Sequence, residues 1–148
     1  MLTLHTAPLL RRTPGGETVP GQAVLVGGDR VEAVGPLTEL TEAYAAVRVR
    51  RWPGVLGPGL LHDGPLPTAP TPRERVHALL RQGVTAVLTE HLADPSLRAA
   101  VDRSDLQVLP TAEAPTLRPD GRADLAVHGV DGCCLVTVVA GRIVHRRA

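Results

Sequence analysis

Two short polar pairs carry the side chains best suited to chemistry. His62 and Asp63 lie in a Gly/Pro-rich stretch, and Glu90 and His91 follow the apolar run VTAVL at residues 84–88, which is typical of a buried strand. Imidazole and carboxylate groups can transfer protons or bind a metal ion. If the two loops converge, these four residues form a candidate catalytic or ligand-binding site. The alternative interpretation is that they are solvated loop residues.

The two cysteines and two further histidines favour packing over chemistry. Cys133 and Cys134 are adjacent, so on a strand their side chains point to opposite faces and a disulfide between them is not expected. They lack a Cys-x-x-Cys spacing and an obvious base, which indicates a packing role. His128 and His145, on neighbouring predicted strands, would make an incomplete zinc site, and we predict surface positions for both. The sequence therefore predicts no metal site and no cofactor.

The charge pattern argues against nucleic acid as a partner. All 16 basic residues are arginine, and 15 acidic residues reduce the net charge to +1. Arg48, Arg50 and Arg51 precede Trp52 and could contact phosphate groups. However, one Trp, one Tyr and no Phe leave few rings for base stacking, and a nearly neutral chain does not attract nucleic acid or an anionic membrane over distance. We interpret these arginines as a solvated strand face.

The sequence also indicates a cytoplasmic protein. Residues 1–12 (MLTLHTAPLLRR) lack the basic region and apolar core of a signal peptide. No stretch reaches the roughly 18 apolar residues that a membrane span requires. Two cysteines without an expected disulfide suit a reducing compartment. We therefore expect no membrane association.

Strands and turns dominate both ends of the chain, and helices are confined to its middle. Residues 23–26 and 31–34 flank a Gly-containing turn and predict a β-hairpin. Residues 36–44 are compatible with a short helix, and residues 47–50 alternate as a half-buried strand does. The last 27 residues return to strand patterns, with a turn at Gly141.

The middle of the chain predicts one βαβ unit after a Pro/Gly-rich connector at residues 53–72. Thr71, Pro72 and Glu74 predict a helix start with a capping box, and Gly83 marks its end. A buried-type strand follows at residues 84–88. Asp94 and Pro95 then begin a second helix, and residues 106–109 predict another strand parallel to the first.

Four stretches of the sequence form a recognisable series: residues 27–35 (GGDRVEAVG), 52–61 (WPGVLGPGLL), 83–87 (GVTAV) and the closing pair 121–127 (GRADLAV) with 136–144 (VTVVAGRIV). Taken in this order, they resemble the amidohydrolase family, and in particular its imidazolonepropionase-like members. In that family the N- and C-terminal segments pair into one composite β-domain, and a metal-dependent barrel is inserted between them.

The sequence departs from this family where its metal site should be. The family pattern places two metal-binding histidines after the first barrel strand, two residues apart, so that both face the barrel mouth. Alignment on the PGLL motif at residues 58–61 places His62 at the preceding Asp position, and Gly64 and Leu66 at the ligand positions. About 60 residues separate Pro58 from Gly121, whereas a complete (β/α)₈ barrel takes roughly 250. We therefore expect no hydrolysis by the family's metal-dependent mechanism.

Taken together, the sequence predicts an α+β fold in two parts. The first is a composite β-sandwich or sheet from residues 1–57 and 121–148, and the second is residues 58–120, which form the connector and a remnant α/β lobe of a TIM-like barrel. Two parallel strands standing alone would expose edges and apolar faces. This favours a non-catalytic accessory or interaction protein that binds a protein partner or forms a homo-oligomer. The alternative is a small metal-independent enzyme or ligand-binding protein that uses the cleft between the two parts.

Overall fold

A computed structural model describes residues 1–147, which form a mixed α/β structure with three sheets and three α-helices. The strands, in chain order, are β1 (Leu2–Thr6), β2 (Leu9–Leu10), β3 (Val19–Pro20), β4 (Gln22–Gly27), β5 (Arg30–Pro36), β6 (Arg48–Arg51), β7 (Val55–Pro58), β8 (Leu60–His62), β9 (Val84–Leu88), β10 (Gln107–Leu109), β11 (Leu125–His128), β12 (Cys134–Val139) and β13 (Arg142–Arg146). The helices are α1 (Leu37–Ala43), α2 (Pro72–Leu80) and α3 (Pro95–Arg103). Within residues 1–147 the strands do not close into a barrel.

The first sheet has four strands in the order β5-β4-β1-β6. The predicted hairpin is present as β4 and β5, which pair antiparallel around Gly28, where a φ of +60° makes the tight turn. The predicted short helix is α1, and the predicted strand at residues 47–50 is β6, which pairs in parallel with β1. Arg48 is exposed and Arg50 is half-buried, because β6 lies at an edge of this sheet.

The second sheet contains strands from both ends of the chain, in the order β13-β12-β11-β7-β2-β3. At its centre β7 pairs antiparallel with β11, with Leu56 opposite Val127. Both of these side chains are buried in the larger core, which also contains Val24, Val31 and Val136. Residues that are distant in the sequence therefore share one hydrogen-bonded sheet and one core.

The third sheet is parallel, with the order β10-β9-β8, and α2 and α3 pack on one face of it. The prediction of a single βαβ unit is incomplete, because β8-α2-β9 and β9-α3-β10 form two such units in succession. Strand β8 lies inside the stretch predicted as a connector. This strand is only three residues long and lies in a Gly/Pro-rich stretch, so its sequence shows no alternation. It forms because it pairs with β9.

Side-chain caps fix the starts of the two lobe helices. The Thr71 hydroxyl oxygen accepts a hydrogen bond from the backbone N–H of Glu74 at 3.2 Å, as the predicted capping box requires. The Asp94 carboxylate accepts one from the backbone N–H of Ser96 at 2.9 Å. A proline occupies the first turn of each helix, where its missing N–H is not needed.

Backbone and side-chain hydrogen bonds join the parallel sheet to the six-stranded one. The Thr137 hydroxyl on β12 donates to the carbonyl oxygen of Leu80 at 2.6 Å, and this contact is buried. The Gly59 N–H donates to the carbonyl oxygen of Asp124 at 2.9 Å. Gly83, with a φ of +87°, ends the turn after α2 against Ala126 of β11. None of the helices found in residues 1–147 is long and apolar enough to cross a bilayer.

The edge strands of the three sheets are short or carry arginine or proline. β5 and β6 border the first sheet and contain Arg30 and Arg48, among other arginines. β13 contains Arg142 and Arg146, and β3 ends in a proline. β8 and β10 are each three residues long.

Candidate functional site

The four candidate residues lie at one edge of the parallel sheet. β8 ends at His62 with Asp63 directly after it, and β9 ends at Leu88 before a 3₁₀ turn that contains Glu90 and His91. Since β8 and β9 are adjacent and parallel, their carboxyl ends meet at the same edge. Open α/β sheets commonly bind their ligands at this edge.

Three of the four side chains converge. One ligand atom each from Asp63, Glu90 and His91 lies within 4.8 Å of the other two. The Nε2 atom of His91 is 3.6 Å from the Oε1 atom of Glu90. The His91 side chain is 21% exposed, whereas that of Glu90 is 68% exposed. The His91 side chain is therefore much less exposed to solvent than that of Glu90.

His62 does not join the group. Its Nε2 atom is 2.9 Å from the carbonyl oxygen of Pro65, so the ring donates a hydrogen bond to its own loop. The sequence could not reveal this bond, because it depends on how the loop after β8 turns. The structure thus brings together Asp63, Glu90 and His91 and leaves His62 in a local structural contact.

Hydrogen bonds hold the turn that carries Glu90 and His91. The Thr89 hydroxyl donates to the carbonyl oxygen of Leu109 at 3.2 Å, which connects the turn to the end of β10. The backbone N–H of Leu92 donates to the Thr89 carbonyl oxygen at 3.0 Å. The carboxylate and imidazole of this turn, together with the Asp63 carboxylate from the end of β8, can bind a cationic group or transfer a proton, in competition with water because the carboxylates are exposed.

The positions that correspond to the amidohydrolase metal ligands do not fit a metal. Gly64 has no side chain, and Leu66 is 3% exposed in the core beside α2. The backbone oxygen of Leu66 is also occupied, because it accepts a hydrogen bond from the Arg75 guanidinium at 3.0 Å. No step of a reaction can be routed through a metal at these two positions.

The cysteines and the other two histidines do not form a second site. Both cysteines are free; Cys133 is exposed and Cys134 is buried. Burial raises the pKa of the Cys134 thiol, which therefore stays protonated, although the Thr137 hydroxyl 3.3 Å away acts in the opposite direction. The prediction that His128 and His145 occupy neighbouring strands is wrong, because β12 separates β11 from β13. Burial lowers the pKa of each of these two histidines.

A buried histidine–tryptophan pair was not predicted. The Trp52 Nε1–H donates to the Nδ1 atom of His5 at 3.1 Å, and the two ring planes are 12° from parallel with centroids 6.2 Å apart. The Arg146 guanidinium lies 5.1 Å from the Trp52 ring centre. Burial, with a smaller effect of the Arg50 charge, lowers the pKa of His5 to about 4. A histidine inside the apolar run at residues 2–10 was the signal available in the sequence.

The cleft between the parallel sheet and the two other sheets is lined by different residues from those expected. It has a volume of about 360 Å³ and lies between strands β8–β10 and the segment 113–124. His62, Asp63, Glu90 and His91 do not line it, because they lie at or beyond the carboxyl ends of the strands while the cleft borders the face of the sheet. Its charged lining residues are Arg30, Glu113, Arg118, Asp120, Arg122 and Asp124.

Comparison with solved structures supports an amidohydrolase-like fold. No model of a protein family and no curated protein sequence matches the chain. Helicobacter pylori aminofutalosine deaminase matches 73% of this chain with 32% of its own, at 17% identity and a TM-score of 0.57. Escherichia coli guanine deaminase matches 73% of this chain with 35% of its own, at 16% identity and a TM-score of 0.57. A zinc-bound adenosine deaminase from Xanthomonas campestris matches 77% of this chain with 36% of its own, at 15% identity and a TM-score of 0.51. The chain spans about a third of each of these enzymes, and the likeness is one of fold.

Proposed function

We propose that this chain is a non-catalytic, amidohydrolase-like protein that acts by binding a protein partner or a second copy of itself. The observation that carries the proposal is the replacement of the family's ligand pair by Gly64 and by Leu66, whose side chain is buried. Even if a histidine replaced Leu66, its side chain would lie in this core and could not bind a metal without moving out of it.

The open architecture supports a binding role. Parallel sheets are normally covered on both faces. Here α2 and α3 cover one face of β10-β9-β8, while the other borders the cleft and both edge strands lack a further neighbour among residues 1–147. We interpret the six-stranded sheet, which draws on both ends of the chain, as a composite β-domain of residues 1–57 and 121–148. Residues 58–120 are then the lobe that carries this incompletely covered sheet.

Metal analysis and deamination assays test the non-catalytic part. We expect purified protein to contain less than about 0.1 zinc per chain and to release no ammonia from adenosine or guanine, the substrates named for its structural neighbours. Stoichiometric zinc together with ammonia release that a chelator abolishes would contradict the proposal.

Sedimentation and co-purification test the binding part. Sedimentation equilibrium at protein concentrations from micromolar to high micromolar distinguishes a self-associating protein from a monomer. If the protein remains a monomer, tagged protein recovered from its own cells should carry a second protein in a fixed ratio that persists on gel filtration. A monomer that co-purifies with nothing would refute a binding role.

A second candidate function, ligand binding, is favoured by the convergence of Asp63, Glu90 and His91. Two carboxylates beside an imidazole suit a cationic ligand. Zinc chloride is the probe: calorimetric titration should show one site that is weakened at least about tenfold by His91→Gln, which removes a charged or coordinating nitrogen. His77→Gln, an exposed histidine on α2, is the matched control. Equal isotherms for the two variants would exclude this candidate.

A further inference from the structure

One face of the parallel sheet borders the cleft and has no helix packed on it. Two polar side chains, Thr85 and Gln107, lie on this face, and the other sheet residues that line the cavity of about 360 Å³ are small or apolar (Gly59, Leu61, Ala86 and Leu109). The opposite face carries Val84, Val87 and other apolar side chains that pack on α2 and α3. Since parallel sheets are normally covered on both faces, an accessible cavity on this face indicates a binding surface.

The opposite wall of the cleft is held in place before any ligand arrives. Leu117 is 3% exposed in the larger core, and its backbone N–H donates to the carbonyl oxygen of Arg12 at 2.8 Å. Asp120 and Gly121 form a reciprocal pair of 2.8 Å backbone hydrogen bonds with Val31. The wall segment 113–124 is therefore fixed near its middle, so a ligand would not have to order the backbone there.

One of the charged pairs in the lining is already an ion pair within the protein. The Arg122 Nε atom is 3.2 Å from the Oδ1 atom of Asp124, although this buried nitrogen makes no hydrogen bond among residues 1–147. Another guanidinium nitrogen of Arg122 donates to the carbonyl oxygen of Asp105, and the Asp124 carboxylate accepts a hydrogen bond from the Ala140 N–H at 2.9 Å. The opposite charges of Arg122 and Asp124 therefore compensate each other.

The other charged side chains of the lining are free to bind a ligand. Within residues 1–147, the side chains of Glu113, Arg118 and Asp120 make no hydrogen bond or ion pair, and Arg30 has only a 3.7 Å contact with Asp29. The residues that carry these two guanidinium groups and two carboxylates line one cavity of about 360 Å³. A lone anion or a lone cation would be attracted by one pair and repelled by the other.

We propose that this cleft binds a small zwitterion of the α-amino-acid type. The guanidinium groups of Arg30 and Arg118 bind its carboxylate, for which arginine offers paired donors. The carboxylates of Glu113 and Asp120 accept hydrogen bonds from its ammonium group. The cavity volume suits a molecule of this size, at the lower end of small-molecule pockets. This inference does not depend on partner binding and would stand if that proposal failed.

Calorimetric titration with each of the twenty proteinogenic L-amino acids tests the inference, with acetate and methylammonium as the separate charged halves. We expect at least one amino acid to bind with a Kd below about 1 mM, and neither half to bind in that range. Binding of acetate as tightly as the amino acid would overturn the zwitterion in favour of a simple anion site. Absence of binding by all twenty would overturn the inference altogether.

Two variants locate the binding site. Arg118→Gln and Glu113→Gln should each weaken binding of the best amino acid at least about tenfold, since each removes one charge from the pairing. Both positions are exposed, so the variants should keep the wild-type circular dichroism spectrum. Arg103→Gln, on α3 and outside the cleft, is the control and should leave the Kd unchanged. Wild-type affinity in Arg118→Gln would refute the assignment.

Discussion

At the scale of single residues, the pair of His5 and Trp52 links charge state to folding. His5 is 2% exposed and accepts the indole hydrogen bond through Nδ1, so the ring must be neutral at that atom. Protonation would place a charge in the core next to the Arg50 guanidinium and remove the acceptor. Both effects favour the neutral ring, in agreement with a pKa near 4.

Stability should therefore decrease as the pH is lowered below 6.5. His5 has a pKa of 6.5 in the unfolded chain and about 4 in the folded one, so the unfolded state binds the proton first. The contribution of the neutral ring is fully present above pH 6.5 and is lost as the pH falls toward 4, by about 2 kcal/mol at pH 5 and about 3 kcal/mol in total. Urea unfolding at pH 7.5 and 5 measures this loss.

His5→Gln tests the assignment, because the amide oxygen can still accept the indole hydrogen bond but does not titrate. This variant should lose most of the difference between pH 7.5 and 5, while His77→Gln should retain it. An unchanged pH dependence in His5→Gln would show that other groups are responsible.

The candidate site was predictable from the sequence in part. Asp63, Glu90 and His91 were named as candidates, but their convergence was conditional because only β9, of the two strands that position them, carries a strand signal; the parallel pairing of β8 with β9 brings the carboxyl ends together. The local bond of His62 to Pro65 could not be predicted, since it depends on loop geometry. The charged lining of the cleft was missed because Arg30 and Arg118 are almost 90 residues apart and meet only through tertiary packing.

At the scale of elements, the cap of α2 should contribute measurably to stability. Thr71→Ala removes the acceptor for the Glu74 N–H and should lower the free energy of unfolding by about 1 kcal/mol. Thr68→Ala is the control, because that threonine is exposed in the preceding loop and should be neutral. Chemical denaturation of the two variants compares them; equal stability would show that the cap does not contribute.

The junction between β7 and β11 requires a glycine at position 54. Gly54 has a φ of +91°, and a Cβ atom there would collide with the carbonyl oxygen of His128. Gly54→Ala should therefore destabilise the protein by at least about 2 kcal/mol, through backbone strain and the loss of close strand contact. Gly35→Ala meets open space, has no positive φ, and should change stability by less than about 1 kcal/mol. Comparable melting temperatures would contradict this account.

Elements with strong local signals were predicted, and those that depend on pairing were not. The β4–β5 hairpin, α2 and α3 are specified by nearby turn and cap residues. Strands β7 and β8 lie in a Pro/Gly-rich stretch that carries almost no strand signal of its own. They form because β11 and β9 supply hydrogen-bonding partners from elsewhere in the chain.

At the scale of the whole molecule, the three sheets should unfold together. Thr137 and Val139 of β12 contact the lobe, through the hydrogen bond to Leu80 and through the lobe core, and β12 also belongs to the six-stranded sheet. The single tryptophan, Trp52, reports on the larger core, while far-UV circular dichroism at 222 nm is dominated by the helices, of which α2 and α3 belong to the lobe. Both signals should give the same urea midpoint.

Leu79→Ala tests the coupling, because Leu79 is fully buried in the lobe core. The variant should lower both midpoints equally, by a loss of about 2–5 kcal/mol. Separate midpoints, with the Trp52 transition unaffected, would show that residues 58–120 unfold independently of the remaining chain.

The edge strands, which are short or contain arginine or proline, affect whether the protein aggregates at high concentration. A closed barrel has no edges, whereas three open sheets have six, and each free edge could template the addition of a strand from another chain. Charge repulsion between arginines on β6 or β13 and the brevity of β3, β8 and β10 oppose such growth. The protein should accordingly form no fibrils at high concentration.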